Sequence, residues 1–343
     1  MINLASDTQT KPTQAMREAM MRAEVGDEQA GTDPTVNALL EQTADLLGKE
    51  AALFLPTGTM CNLVAVKTHT QPGQTILVDR LGHILRMETG GAAQFSGVIV
   101  EILPSEHGQF TPQAVRDALW PASNYTPPAT LVCVEQTHNF AGGTVWTFDE
   151  LKAVAGVARE HGLAVHMDGA RLMNAVVATG TSATAFSAEC DSVWIDFTKG
   201  LGAPMGAVLA GSHDFIHRAR RYKHAFGGAM RQAGIAAAGC TYALHHHVER
   251  LQEDHDNMQL LAAGLREIPG IDVPDRVDTN ILFFTISAEG LDAAAFEAGM
   301  RERGVLLVRI GDLLRIVTHL DVSRSEVEAA IRAARMVMES ATA

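Results

Sequence analysis

Only six of the 343 residues are lysines (Lys11, Lys49, Lys67, Lys152, Lys199 and Lys223), so any amine nucleophile has few candidates. Lys199 stands apart. It follows the apolar run Val193-Trp194-Ile195-Asp196-Phe197 and precedes Gly200-Leu201-Gly202-Ala203-Pro204. A lysine at the end of a buried strand, beside small residues, is desolvated and suited to Schiff-base chemistry; the alternative is a solvated lysine in a turn. Its rivals sit in polar helix termini (Lys49, Lys152), on a helix surface (Lys67), beside Pro12 (Lys11) or in the basic run 218–224 (Lys223).

Three further signals fall at strand ends. Asp168 ends the run Leu163-Ala164-Val165-His166-Met167 and precedes Gly169-Ala170-Arg171. A carboxylate at the carboxyl edge of a parallel sheet can balance a cation such as a protonated ring nitrogen, or it can simply cap the next helix. Thr57-Gly58-Thr59 marks a strand-to-helix turn whose free N–H groups and positive dipole suit a phosphate, although the same residues make ordinary caps. The Walker A and GxGxxG spacings are absent. Among 14 histidines, His83 and His138 each follow a strand and so converge on the edge that carries Asp168 and Lys199. With His166 and Asp168 they also form a conceivable zinc set, unsupported by any HExxH or close histidine pair.

The elements that position these residues alternate strand and helix, the pattern of an α/β protein with a largely parallel sheet. Strands are expected at 51–55, 75–78, 98–103, 130–134, 163–167, 192–197 and 207–210. Asp33-Pro34 opens a helix that Gly48 closes, a second helix starts at Met60, and a third spans 148–159. From Gly228 to Glu267 the chain reads as one long helix. Beyond it come a strand at 280–286, a helix at 292–303, strands at 305–310 and 313–317, and a final helix at 323–340. The change of character divides the chain into a large domain (1–248) and a small C-terminal α+β domain (249–343), with the N-terminal segment able to pack on the latter.

Composition narrows the function. A net charge of −13 argues against nucleic-acid or anionic-membrane binding, since both need a basic face. No apolar run reaches the ~18 residues of a membrane span. The start MINLASDTQTKP lacks the pattern of a signal peptide, which favours the cytoplasm. Cys61, Cys133, Cys190 and Cys240 are far apart in apolar settings and are expected to be buried free thiols.

With these residues in place, the sequence resembles the L-threonine aldolases of low-specificity type. These are pyridoxal-phosphate enzymes of the aspartate-aminotransferase-like fold type I, within the beta-eliminating lyase and threonine aldolase family. The resemblance rests on ordered blocks between residues 6 and 321: Ser6-Asp7-Thr8-Gln9-Thr10-Lys11-Pro12, Val25-Gly26-Asp27, Asp33-Pro34-Thr35-Val36-Asn37, Phe54-Leu55-Pro56-Thr57-Gly58-Thr59, Glu135-Gln136-Thr137-His138-Asn139, His166-Met167-Asp168-Gly169-Ala170-Arg171, Thr198-Lys199-Gly200-Leu201-Gly202 and Arg315-Ile316-Val317-Thr318-His319. It implies a mostly parallel seven-stranded sheet between helices.

The resemblance also implies roles. Lys199 would hold pyridoxal 5'-phosphate through its amine, Asp168 would keep the ring nitrogen protonated, His83 would stack on the ring, and Gly58 and Thr59 would hold the phosphate. Arg171, Ser6 and Arg315 would bind the amino-acid carboxylate, with Arg171 also near the cofactor. Arg231 is similar to a residue that reaches the phosphate of a neighbouring subunit, implying a homo-oligomer with shared sites, a homotetramer or at least a dimer. Two positions depart from the pattern: Ala30 stands where a tyrosine is common, and His224 where a lysine is expected, with Lys223 adjacent. The first makes a bulkier β-hydroxy amino acid plausible. The implied reaction is retro-aldol cleavage to glycine and an aldehyde, with His83 or His138 as base and no metal. Alternatives are another fold-type-I lyase (phenylserine aldolase, β-eliminating or serine hydroxymethyltransferase-like) and, more distantly, a zinc-dependent amidohydrolase.

Overall fold

The computed structural model describes residues 1–342; Ala343, the last residue of the expected small domain, lies outside the described residues. A seven-stranded sheet forms its centre, in the order Ala51–Leu55, Ala207–Gly211, Ser192–Asp196, Ala164–Asp168, Ala129–Glu135, Thr75–Asp79, Ile99–Leu103. Only Ala207–Gly211 runs against the others. Helices cover both faces, so Thr75–Asp79, Ser192–Asp196 and Ala207–Gly211 are buried at every residue and read as continuous apolar runs. Because six strands point one way, the segments after Leu55, Asp79, Glu135, Asp168 and Asp196 all leave from one edge.

Local chemistry sets the element ends. Asp33 caps Pro34–Leu47 by accepting from the Val36 N–H at 3.0 Å, and Gly48 ends it at φ +60°. Thr57 caps Gly58–His69, which starts two residues before Met60. Phe148–Glu160 opens on a full capping box of Thr147 and Glu150.

The expected long helix over 228–267 is instead two, Gly234–His246 and Leu251–Arg266. No glycine or proline marks the break. The first helix packs against Pro34–Leu47 in the large layer, while the second sends Met258, Leu261, Ala262 and Leu265 into a different core. One straight rod cannot serve both, and His247 pins the bend by its Nδ1–H to the Leu201 carbonyl, 2.7 Å.

That second core lies under an antiparallel sheet ordered Ile271–Asp272, Ile281–Ile286, Leu313–Val317, Val308–Ile310. The expected strand over 305–310 splits at Leu307. Its first half, Val305–Leu306, pairs with Ile2–Asn3, and Leu4 joins the same core. All four cysteines are buried and free. Among the described residues no helix is long and apolar enough to cross a membrane.

Candidate active site

At the carboxyl edge of the large sheet lies a cleft of about 390 Å³, lined by Thr57, Gly58, Thr59, His83, Asp168, Trp194, Asp196, Thr198 and Lys199, with Thr8 from the N-terminal segment. Lys199 follows the strand Ser192–Asp196. Its Nζ lies 3.1 Å from Asp196 Oδ2 and 5.8 Å from the Trp194 ring centroid. The other Asp196 oxygen accepts from the Thr198 N–H (2.9 Å) and hydroxyl (2.7 Å), which fixes the carboxylate toward the lysine. The Thr10 hydroxyl holds the Lys199 carbonyl at 2.8 Å, tying the N-terminal segment to this turn.

Asp168 is in register with Glu135 on the neighbouring parallel strand. Burial, then the like charge of Glu135, pushes the Asp168 carboxyl up to about 6; His83, Lys199 and an Asn62 hydrogen bond pull the other way without cancelling this. Its oxygens accept from Asn62 Nδ2 (2.8 Å) and the Ala170 N–H (3.1 Å), and among the described residues no cationic side chain forms an ion pair with it. Glu135 is itself a bracket: one oxygen accepts from the His83 N–H (2.7 Å), the other from the Asn139 N–H (2.9 Å). His83 donates from Nδ1 to Glu88 Oε1 at 2.9 Å. Burial works against its imidazolium, but Glu88, Asp168 and Glu135 outweigh it and hold His83 above its usual range.

Two arginines stand beside the cleft in different states. Arg171 is buried and grips Asp7 with two hydrogen bonds of 2.7 Å. Among the described residues Arg315 has no carboxylate within ion-pair distance. It donates to Asn139 Oδ1 (2.8 Å) and the Ala5 carbonyl (3.4 Å), and its buried Nε has no acceptor. Burial and the neighbouring Arg171 push it down to about 10, the signature of an under-compensated buried cation. Ser6 caps the short turn Asp7–Gln9, its hydroxyl spent on the Thr8 N–H at 3.2 Å.

This donor set fits pyridoxal phosphate. Asp168 is a buried carboxylate in want of a cationic contact, Lys199 offers an amine in the same cleft, and the helix from Gly58 presents its first N–H groups. A Cβ at Gly58 would lie 2.3 Å from the Trp194 ring, so only glycine lets that helix start so close.

Residues 3–289 match the model of the beta-eliminating lyase family. The chain is 45% identical over 327 residues to the low specificity L-threonine aldolase of Escherichia coli (strain K12), covering 95% of this chain and 96% of that one. The chain belongs to the low-specificity L-threonine aldolase family. A member from Arabidopsis thaliana is 38% identical, covering 95% and 93% of the two chains. A solved Leishmania major threonine aldolase superposes with a TM-score of 0.85 at 21% identity over 98% of this chain and all of that one. A Sphingomonas wittichii serine palmitoyltransferase gives 0.78 at 18% identity, over 99% and 88%. The fold is therefore the expected α/β fold type I.

Within this threonine aldolase family member, several expected site residues fall outside the cleft. His138 is buried beneath it: Nε2 is 2.8 Å from Asp79, Nδ1 accepts from the Ala141 N–H at 3.2 Å, and its ring packs against Gly108. The zinc set is not assembled either, because the two His166 ring nitrogens are taken by Ser192 and Asn62. Among the described residues the one grouping close enough to hold a metal is His83, Glu88 and Asp168. Arg231 is largely exposed and pairs with Asp27 at 2.8 Å; His224 and Ala30 are exposed and line no part of this cleft. Lys223 belongs to the basic run 218–224 but is buried against Glu28.

Sequence reasoning missed Asp7, Asn62, Glu88, Glu135, Asn139 and Asp196. Asn62 carried a signal, being an amide among Cys61, Val64, Ala65 and Val66 on a buried helix face. Glu135 directly follows the strand expected at 130–134 and is its last residue in the structure. Asp7 and Asn139 lie inside the motifs 6–12 and 135–139 with no local mark of their own.

Proposed function

We propose that this chain cleaves L-threonine, L-allo-threonine or a related β-hydroxy-α-amino acid to glycine and an aldehyde, as a pyridoxal-phosphate-dependent carbon–carbon lyase. The observation that carries the reading is one cleft lined by Lys199, Asp168, His83 and a glycine-started helix, with an uncompensated arginine beside it. When bound, the cofactor supplies an electron sink for the pair released as the Cα–Cβ bond breaks. Lys199 would hold its aldehyde carbon, Asp168 its ring nitrogen, His83 its face, and Gly58 and Thr59 its phosphate.

The remaining work falls to the chain. Arg315 receives the substrate carboxylate, because it alone of the two arginines has no carboxylate to release first. Arg171 orients that carboxylate with the one terminal nitrogen Asp7 leaves it, and Ser6 closes the same corner. Glu88 holds His83 in the tautomer with its proton on Nδ1. Nε2 is then an acceptor, placed to take the β-hydroxyl proton as the aldehyde carbonyl forms; positioned base catalysis of this kind is worth ~10²–10⁴-fold. His138, engaged by Asp79, serves as a strut in this reading.

Arg231 and His224 are exposed and line no part of their own cleft, and in this reading they reach a partner's phosphate in a homo-oligomer, a homotetramer or at least a dimer, of a cytoplasmic enzyme. Ala30, exposed beside them, would leave that partner's cleft roomier and suit a bulkier substrate. The chain divides near 248/249 into a cofactor-binding part and a smaller part that supplies Arg315.

The test is an assay of glycine and aldehyde release from L-threonine, L-allo-threonine and phenylserine, alongside the absorbance near ~420 nm expected of a bound cofactor. Lys199→Ala should abolish both; an unchanged yellow protein would refute the assignment. Pyruvate or ammonia in place of aldehyde would favour a β-eliminating lyase.

A further inference from the structure

Asn62 lies fully buried in the helix Gly58–His69, and its side-chain amide makes four contacts. Nδ2 donates to Glu88 Oε1 at 2.6 Å and to Asp168 Oδ2 at 2.8 Å. Oδ1 accepts from Trp194 Nε1 at 2.8 Å and lies 3.1 Å from His166 Nε2. An amide is nearly symmetric in shape, and a half-turn would set its oxygen against two carboxylates and its NH₂ against two ring N–H groups. The orientation is therefore decided by which atoms around it are donors.

The indole is always a donor. An imidazole is one at Nε2 only in one neutral tautomer, and burial holds His166 down at about 3 and His69 at about 4, so both rings are neutral. With its proton on Nε2, His166 must accept at Nδ1, where the Ser192 hydroxyl lies at 2.8 Å. Ser192 Oγ then accepts from His69 Nε2 at 2.7 Å. Every donor points the same way, from His69 through Ser192, His166 and Asn62 to Asp168.

We propose that Asn62 is a positioning residue that holds Asp168 and the Glu88–His83 pair at once, and that His69, Ser192 and His166 lock it in its one productive orientation. The inference rests on the reading of Asp168 as the partner of a cofactor ring nitrogen. Glu88 and Asp168 offer oxygens within 4.8 Å of each other, and the Asn62 NH₂ is what separates their charges. Without it, one carboxylate takes up a proton. The charged groups facing Asp168 are Glu88, Glu135 from the adjacent strand, His83 and Lys199; Asn62 supplies the donor from the helix above.

The experiment compares wild type, Asn62→Ala and Ser192→Ala, each freed of cofactor and titrated with pyridoxal phosphate across pH, with thermal midpoints measured alongside. Losing charge-assisted hydrogen bonds predicts a Kd raised roughly 10- to 100-fold in Asn62→Ala. The pH at which binding is half-lost on the acid side should move up, because Asp168 loses a donor that favours its charged form. Ser192→Ala removes one oxygen far from the cleft. It should raise Kd about three-fold and move the same pH midpoint in the same direction, as loss of a neutral hydrogen bond allows. A wild type that binds no cofactor overturns the functional reading itself. A wild type that binds, with both variants within two-fold in Kd and unmoved in pH midpoint, overturns this inference alone, even if their thermal midpoints fall. Should Asn62→Ala fail to fold, Ser192→Ala decides in the same terms.

Discussion

Gly58→Ala adds one methyl group, and the structure says where it must go. The new Cβ would lie 2.3 Å from Trp194 Cη2 and 2.5 Å from Cζ3. Carbon atoms rest at about 3.5–4.0 Å, so helix or indole must move by more than about 1 Å. The indole is poorly placed to yield: it is 2% exposed, and its N–H holds Asn62 at 2.8 Å. Two effects compete. Alanine is the better helix former by at most about 1 kcal/mol, and less in the first turn. Overpacking a filled core costs about 1–3 kcal/mol, and a broken buried hydrogen bond about 1 kcal/mol more. Overpacking wins, so stability should fall by about 1–3 kcal/mol, seen as a lower urea midpoint with unchanged slope. Cofactor affinity should fall about ten-fold with it, since the displaced helix end is the expected phosphate site. Gly156 is the control. Its Cβ would meet nothing within 4 Å, so Gly156→Ala should stabilise by about 0.4–1 kcal/mol. A Gly58→Ala protein with wild-type midpoint and Kd would show that the Trp194 contact positions nothing.

Glu88→Gln removes a charge that holds His83 above its usual range. The neutral base then survives to lower pH, and the acid limb of the kcat/KM profile should shift downward while kcat falls. Arg315→Lys should raise KM for L-threonine roughly 10- to 100-fold, the worth of a charged hydrogen bond, with a smaller change in kcat. Asp7→Asn strips the carboxylate from buried Arg171 and should cost about 3–5 kcal/mol. Burial opposes the Asp7 charge, but Arg171 outweighs it and holds the carboxyl far below the usual range. Its stabilisation is thus complete above the unfolded value of about 4 and is lost only as pH falls below that. The urea-midpoint difference from wild type should therefore stay constant between pH 5 and 8; a difference that grows with pH in that window would contradict the pairing.

Much of the cleft was legible because its members sit at strand ends, where alternation of apolar runs and helix caps fixes direction. Lys199, Asp168, His83 and Thr57-Gly58-Thr59 needed only that rule. The same rule put His138 at the correct edge but not its depth there, since it says which edge a residue leaves from but not whether the loop folds back. Here Glu135 draws in the Asn139 N–H and Asp79 draws in the ring. The long-helix reading over 228–267 failed because the break is imposed by two cores that ask for different helix directions, a tertiary demand with no local mark. The pairing of Arg171 with Asp7 was hidden for a similar reason: 164 residues separate them.

The N-terminal segment carries a consequence for the order of folding. Ile2–Asn3 pairs with Val305–Leu306, the Val317 N–H donates to the Leu4 carbonyl, and the Ala5 carbonyl receives Arg315. The beginning of the chain is thus seated by residues made some three hundred positions later. On the ribosome the large sheet can close first, but the segment that carries Asp7 has only part of its anchorage, from Arg171 and the Thr10–Lys199 contact, until the last strands emerge. Such long-range closure is slow relative to local structure. The carboxylate-binding corner is therefore among the last parts to form. A nascent chain arrested before residue 305 would carry Lys199, Asp168 and Arg171 in a nearly finished cleft that lacks Arg315, and so would grip an amino-acid carboxylate incompletely.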